Sequence, residues 1–501
     1  MKKLSILSLF MAAVTLSGCS LFNLKITELE KQNVNYTYKD YLDHNRFDID
    51  GTPTSGQPKI LVIPVWFTDS LTYIPLSKKD KVKKDIKTAY FGSSSEAGWE
   101  SVHTYYKKLS HDKLLLDGRI SDWYECGHPA SYYASEENGQ SRTKQLVRDA
   151  VTWYKGQVSD LTSFDLDKNG YLDGVMLIYA APDYGALEDD SASNLWAYCY
   201  WLQDHNPNVS DPNPDAFFWA SYDFMYGKND GFTYYSGDTR YCNIDTHTYI
   251  HEMGHMFGLE DYYDYSGQYD PAGGFSMQDL NIGSHDPYSA LALGWANAYV
   301  PTESCNVELK PFQDSGDIII LSPNFQNSPF DEYLILEYYT PTGLNYFDTK
   351  HQYQSRYPMG PSYSGIRLWH VDGRLLELDS PDSDKYRIAT KIESNKYDTH
   401  MMSNTYYKKN KGEDYISPLG KDYANYNILQ LIRNNKEEDY QPTSYLDRDD
   451  LFYVGDKFTM REFSDQFVQS SRLNNKSSLG WSFSVRKSSA EKITITLTKD
   501  Y

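Results

Sequence analysis

His251-Glu252-Met253-Gly254-His255-Met256-Phe257-Gly258-Leu259-Glu260-Asp261 is the stretch from which the rest of the chain is read. No proline falls between Asp245 and Phe257, Asp245 and Thr246 offer N-caps, and Ile250, Met253 and Phe257 recur at i, i+3 and i+7. That pattern predicts a helix with one apolar face. On such a helix His251 and His255 lie one turn apart, so both imidazoles can reach a single zinc ion at about 2.0–2.1 Å. Glu252 then sits beside the metal rather than on it. From there it can act as general base on an activated water and hand the proton to a leaving amine.

A catalytic zinc takes three protein ligands and a water, so a third ligand is required. Gly258 can end the helix in a left-handed turn and swing the chain back, which brings up Asp261 in preference to Glu260 or Asp264. His247 also competes. It lies two turns from His255, about 11–12 Å along the axis, so one ion cannot take all three imidazoles, and His247 is expected to be a supporting or packed histidine. Downstream, Gly273-Gly274-Phe275-Ser276-Met277 has the spacing of a Met-turn, which would place Met277 beneath the metal. Tyr262 and Tyr263 are candidates for stabilising an oxyanion. The layout is metzincin-like, with Asp where many metzincins have His.

Several stretches give the chain a wider resemblance: HEMGHMFGLEDYYD at 251–264, SHDPYSALALGW at 284–295, YYKKLSHDKLLLDG at 105–118 and FDLDKNGYLDGV at 164–175. EYLILEY at 332–338 and GIRLWHVD at 365–372 support it more weakly. In these the chain resembles the immune inhibitor A-like family of secreted bacterial metallopeptidases, over most of residues 58–380. The resemblance implies a zinc endopeptidase with extracellular protein substrates. The short stretch before residue 58 departs from it, leaving little room for a large inhibitory propeptide.

Lys2 and Lys3, the apolar run from Leu4 to Leu16, and Leu16-Ser17-Gly18-Cys19 read as a lipoprotein signal over residues 1–18, with Cys19 as the lipidated residue. An ordinary secretory signal is the alternative. Residues 19–57 read as a flexible polar tether. Residues 58–300 are expected to form an α/β (α+β) zincin-like catalytic domain with the zinc helix and Met-turn. It opens on a buried strand at Lys59–Phe67, where Pro64 suggests a bulge or an edge. Helices are expected near Lys78–Tyr90 and Trp99–Leu109, and a central strand at Val175–Ala181. From residue 301 to 501, short β-prone runs at 318–321, 333–339, 366–371, 428–432 and 493–497 predict a β-rich, sandwich-like region. Its role is either to scaffold the cleft or to bind a surface partner.

A net charge of −21 argues against nucleic acid as a partner, since phosphate contacts need basic patches. The 46 tyrosines fit aromatic packing in a β-rich extracellular protein better than a polysaccharide platform. Apart from Cys19, the cysteines are Cys126, Cys199, Cys242 and Cys305, an even number that allows two disulfides in three connectivities or leaves buried thiols. Asp165, Asp167, Asn169 and Asp173 alternate oxygen donors around Gly170, as a calcium loop does, but Met176 replaces the bidentate Glu of an EF-hand. The same residues could instead form a solvated hairpin turn. Together these features predict a monomeric, lipid-anchored zinc endopeptidase facing outward from a bacterial membrane, with calcium as a second ion. The alternative is an inactive surface lipoprotein that binds host or matrix proteins or glycans.

Overall fold

The computed structural model describes residues 25–34, 37–43, 51–135, 137–226, 235–236, 239–240, 243–264, 270–353, 357–376, 403–404, 426–435 and 445–500. The signal-like segment with Cys19, and Cys242, lie outside the described residues.

The run Lys59–Trp66 forms β1, an interior strand of a six-stranded sheet with Asp117–Ile120 (β2), Tyr124–Glu125 (β3), Val175–Tyr179 (β4), Tyr198–Trp201 (β5) and Ala216–Ser221 (β6). The order is β2-β1-β4-β6-β5, with β3 also on β1; only β5 runs antiparallel to its neighbour. Both faces are covered, which is why β1, β4 and β6 read as unbroken apolar runs. Ile60, Val62 and Trp66 join a cluster with helices Lys79–Phe91 and Val102–Leu109, while Leu61, Ile63 and Val65 meet helix Gly139–Lys155.

Pro64 does not mark an edge. β1 pairs with β2 as far as Val62 and with β3 from Val65, and Pro64 occupies the gap between them on the side where Val62 and Trp66 carbonyls accept from Ser121 and Cys126. There a missing N–H breaks no ladder bond. β6 has the same unbroken apolar character as β1 and β4 but was not identified in the sequence.

A small hairpin, Tyr235–Ser236 (β7) with Thr239–Arg240 (β8), precedes two further sheets. One has the order β14-β13-β12-β11-β9, formed by Leu429–Ile432, Gly365–Asp372, Glu332–Tyr339, Asp317–Leu321 and Asn297–Tyr299. The other has the order β10-β17-β16-β15, formed by Cys305–Leu309, Ile493–Lys499, Trp481–Ser488 and Lys457–Phe458. Leu334, Leu336, Ile366 and Leu368 share a cluster with Phe483, Ile495 and Leu497 of the second of these sheets. On the opposite face, Tyr333, Ile335, Trp369 and Val371 belong to the cluster that also holds Ile250, Met253 and Phe257. The sheet after residue 300 therefore shares one continuous core with the histidine-bearing helix.

Where the segment expected to be a flexible tether is described, it is docked. Thr27 N–H donates to Asn306 O (2.7 Å) and Gln32 N–H to Ala298 O (2.8 Å). Tyr38 is fully buried against Phe330, Lys39 pairs with Asp167 at 2.9 Å, and Thr52 N–H caps Met256 O at 2.9 Å. Its polar composition hid these anchoring residues.

The described cysteines Cys126, Cys199 and Cys305 are free, partly buried thiols, the second of the two alternatives the sequence left open. No helix among the described residues is long and apolar enough to cross a membrane.

Candidate metal centre

The helix predicted from residue 245 onward forms as His247–Met256 and lies against β5 and β6. Asp245 Oδ1 accepts the His247 N–H at 3.1 Å, meeting one of the orphan donors of the first turn. Ile250, Met253 and Phe257 are buried, as their spacing requires. Gly254 allows close approach on the opposite side: a Cβ there would come within 2.2 Å of Gln278 Oε1, in a side chain with no exposed surface. Gly258 takes φ +100°, and its N–H returns to His255 O at 2.9 Å. That left-handed residue reverses the chain and delivers Asp261 to the histidines.

The result is a triangle of ligand atoms. His251 Nε2 and His255 Nε2 stand 3.1 Å apart, and Asp261 Oδ1 lies 3.2 Å from the first and 3.3 Å from the second. Donors bound tetrahedrally at about 2.0–2.1 Å must sit about 3.3 Å from one another, so the triangle has the size of a zinc face. The tautomers agree. His251 Nδ1 faces Met277 O at 2.7 Å and His255 Nδ1 faces Leu259 O at 2.6 Å. A carbonyl can only accept, so each Nδ1 carries the proton and each Nε2 turns a lone pair inward. Two lone pairs and a carboxylate oxygen converging at this distance repel one another unless a cation, or a proton on one ring, lies between them. Among the described residues, this is the group of His, Cys, Asp and Glu side chains that could hold a metal ion.

With protons alone, burial works to lower the His255 pKa, but Asp261 and Glu252 outweigh it and raise it to about 10. Burial likewise opposes ionisation of Asp261, and the two imidazoles overcome it, holding the carboxyl far below its usual range. Glu252 is buried beside them. Burial raises its pKa, the two histidines lower it, Asp261 raises it, and a hydrogen bond from the Cys199 backbone lowers it. A buried carboxyl with a raised pKa next to a candidate metal is suited to proton transfer.

Residues 51–187 match the family model of the immune inhibitor A peptidase M6 catalytic domain. The resemblance drawn from the sequence is thereby shown over residues 51–187, which are similar to an M6 peptidase catalytic domain. The M6 match ends before the helix that bears the histidines. No curated protein matches the chain.

The remaining residues expected at the site fall in different places. Met277 is buried and opens helix Met277–Leu280, and its carbonyl is the acceptor that orients His251. Tyr262 is buried, with its hydroxyl toward Ser289 at 3.4 Å. Tyr263 hydrogen-bonds to Asp261, and its ring centroid lies 6.4 Å from that of His251. His247 is a packed histidine. It is stacked between Trp99 at 4.0 Å and Tyr353 at 4.2 Å, with Nδ1 on Asp245 at 2.8 Å and Nε2 on Asp348 at 3.3 Å.

The candidate calcium stretch closes through its own hydrogen bonds. Asp165 accepts from Asn169 N and Gly170 N, both at 3.0 Å, and Asp173 accepts from Leu166 N and Lys59 N, both at 2.9 Å. Asp167 pairs with Lys39, and Tyr171 N–H donates to Asn169 Oδ1 at 2.8 Å.

Three neighbours of the site escaped the sequence reading: the Cys199 backbone beside Glu252, and the paired Arg367 and Glu337, of which Arg367 donates to the Phe275 carbonyl. Cys199 left no signal, because nothing in a sequence shows which strand edge passes a helix. Arg367 and Glu337 did leave one, as single charges inside otherwise apolar runs, a pattern that implies a buried pair.

Proposed function

We propose that this chain is a zinc-dependent endopeptidase with a zincin-like catalytic domain, in which His251, His255 and Asp261 hold the metal and Glu252 is the general base and acid. The observation that carries the reading is the triangle of three acceptors at 3.1–3.3 Å with both Nδ1 atoms committed to carbonyls. Zinc at that triangle would supply an activated water and a polarised substrate carbonyl. Glu252 takes the proton, and its buried setting favours returning the proton to the departing amine. β5 is the last strand of its sheet, so its outer edge offers backbone groups to an extended peptide, and Cys199 on that strand already reaches Glu252. A substrate paired there would present an internal peptide bond to the site.

The reading extends to location and support. Cys19 carries the lipid, and the enzyme faces outward as a monomer acting on protein substrates. The two later sheets form a sandwich, and the one next to the site scaffolds it. Calcium in the Asp165, Asp167, Asn169 and Asp173 turn belongs to the same proposal, because each carboxylate oxygen keeps a second lone pair for an ion.

A casein or gelatin zymogram with and without chelator tests the central claim. Clearing that disappears with chelator and returns with zinc supports it. No clearing from a folded, zinc-loaded protein would favour the inactive surface lipoprotein instead.

A further inference from the structure

We propose that Arg367, on β13, is a positioning residue for the metal centre, acting through the turn Phe275-Ser276-Met277. The proposal rests on the metallopeptidase reading above.

Arg367 is 1% exposed and projects from the β13 face that carries Trp369 and Val371 into the cluster shared with the histidine helix. Its Nε binds Glu337 Oε1 on the neighbouring β12, which also accepts from Trp369 Nε1 at 2.8 Å. Its Nη1 donates to the Phe275 carbonyl at 3.1 Å. The rings of Tyr339 and Trp369, centred 4.7 and 5.0 Å from the guanidinium carbon, restrict its plane further. Two residues beyond Phe275, the Met277 carbonyl accepts from His251 Nδ1 at 2.7 Å. The route from β13 to the candidate metal ligand is therefore one hydrogen bond, two residues of turn, and a second hydrogen bond.

The turn is also held locally, by Asp279 on Gly274 N (2.7 Å), by Asp286 on Ser276 Oγ (2.9 Å) and by Ser284 O on Met277 N (3.2 Å). Its entry is tied to the later strands, since Leu431 N reaches Pro271 O and Leu446 N reaches Gly273 O. Stability alone gives a poor reason for the Arg367–Glu337 pair. Two apolar side chains of similar volume commonly serve a buried site as well as an ion pair does, or better. What they cannot do is donate to the Phe275 carbonyl. The pair's specific contribution is thus to fix that carbonyl, and with it the height of the Met277 carbonyl that sets the plane of the His251 ring.

The test uses the full chain loaded with cobalt(II) in place of zinc, and two variants. The double variant Arg367→Met with Glu337→Gln removes both charges while the Gln Oε1 still accepts from Trp369 Nε1. Arg367→Lys keeps the charge opposite Glu337 but lacks the fork needed to serve both partners. Melting temperature, the visible cobalt spectrum and the rate of metal release to a chelator are measured for each. The expected result is near-wild-type melting of the double variant, a changed cobalt spectrum, and metal release roughly tenfold faster in both variants. Unchanged spectrum and release in either folded variant overturn the proposal. If wild-type protein takes up neither cobalt nor zinc, the metallopeptidase reading itself fails, which is a separate and recognisable outcome.

Discussion

His251 and His255 turn their Nε2 atoms toward each other at 3.1 Å, each ring held from behind by a backbone carbonyl. Imidazoles so arranged are committed to a shared cation before one arrives, because rotating either ring away breaks a buried hydrogen bond.

Glu252 lies beside that pair without being part of the triangle. Glu252→Ala is expected to keep its zinc, measured by metal analysis, and to lose roughly 10²- to 10⁴-fold in turnover of an unfolded protein substrate. Full activity in this variant would reject Glu252 as the base.

Asp261 is the third corner, and its acidic neighbours are not. Asp261→Ala should lower zinc occupancy together with activity, whereas Glu260→Ala and Asp264→Ala should leave most of the zinc bound. Metal analysis that ranks the three variants the other way would move the ligand.

His247 carries a pH dependence unrelated to catalysis. Burial alone would lower its pKa, but Asp348 and Asp245 outweigh burial and raise it to about 9. The folded value lies above the unfolded value of about 6.5, so the stabilisation is complete below that pH and is lost as pH rises towards 9. Over this window His247 should contribute a decline of up to about 1.4 kcal/mol per pH unit. Denaturant melts at pH 6, 7.5 and 9 check it, with His247→Phe expected to flatten the trend; an unchanged slope in that variant would refute the assignment.

Calcium binding at the Asp165 turn has its own signature. Burial pushes Asp173 up to about 7, against the pull of the Leu166 and Lys59 N–H groups. An ion there competes with a proton, so millimolar calcium should raise the melting temperature of chelator-treated protein more at pH 8 than at pH 6. Equal melting with and without calcium at pH 8 would leave the stretch as a hydrogen-bonded turn.

The docked N-terminal segment makes the opposite prediction from a free tether. A chain beginning at Pro58 loses the buried Tyr38 and the Thr52 contacts with Met256 O and Asp173 O, so it should be less stable by about 3 kcal/mol or more. Thermal melts of full-length and truncated protein decide it, and equal stability would mean these contacts contribute little.

Much of this centre was legible in the chain because helical geometry is local. Spacing of four residues puts His251 and His255 on one face, and a glycine able to take positive φ after the last turn lets Asp261 return, whatever the rest of the protein does. The unbroken apolar runs at Lys59–Trp66 and Val175–Tyr179 likewise announce strands covered on both faces. Contacts between distant segments carry no such local mark. That β5 brings the Cys199 backbone beside Glu252, that Trp99 and Tyr353 enclose His247, that residues 25–34 and 37–43 dock, and that Arg367 donates to the Phe275 carbonyl were decided by tertiary packing. The physical reason is that a helix or strand is specified by the periodicity of its own residues, whereas a buried polar group is specified only by the partner that folding brings to it.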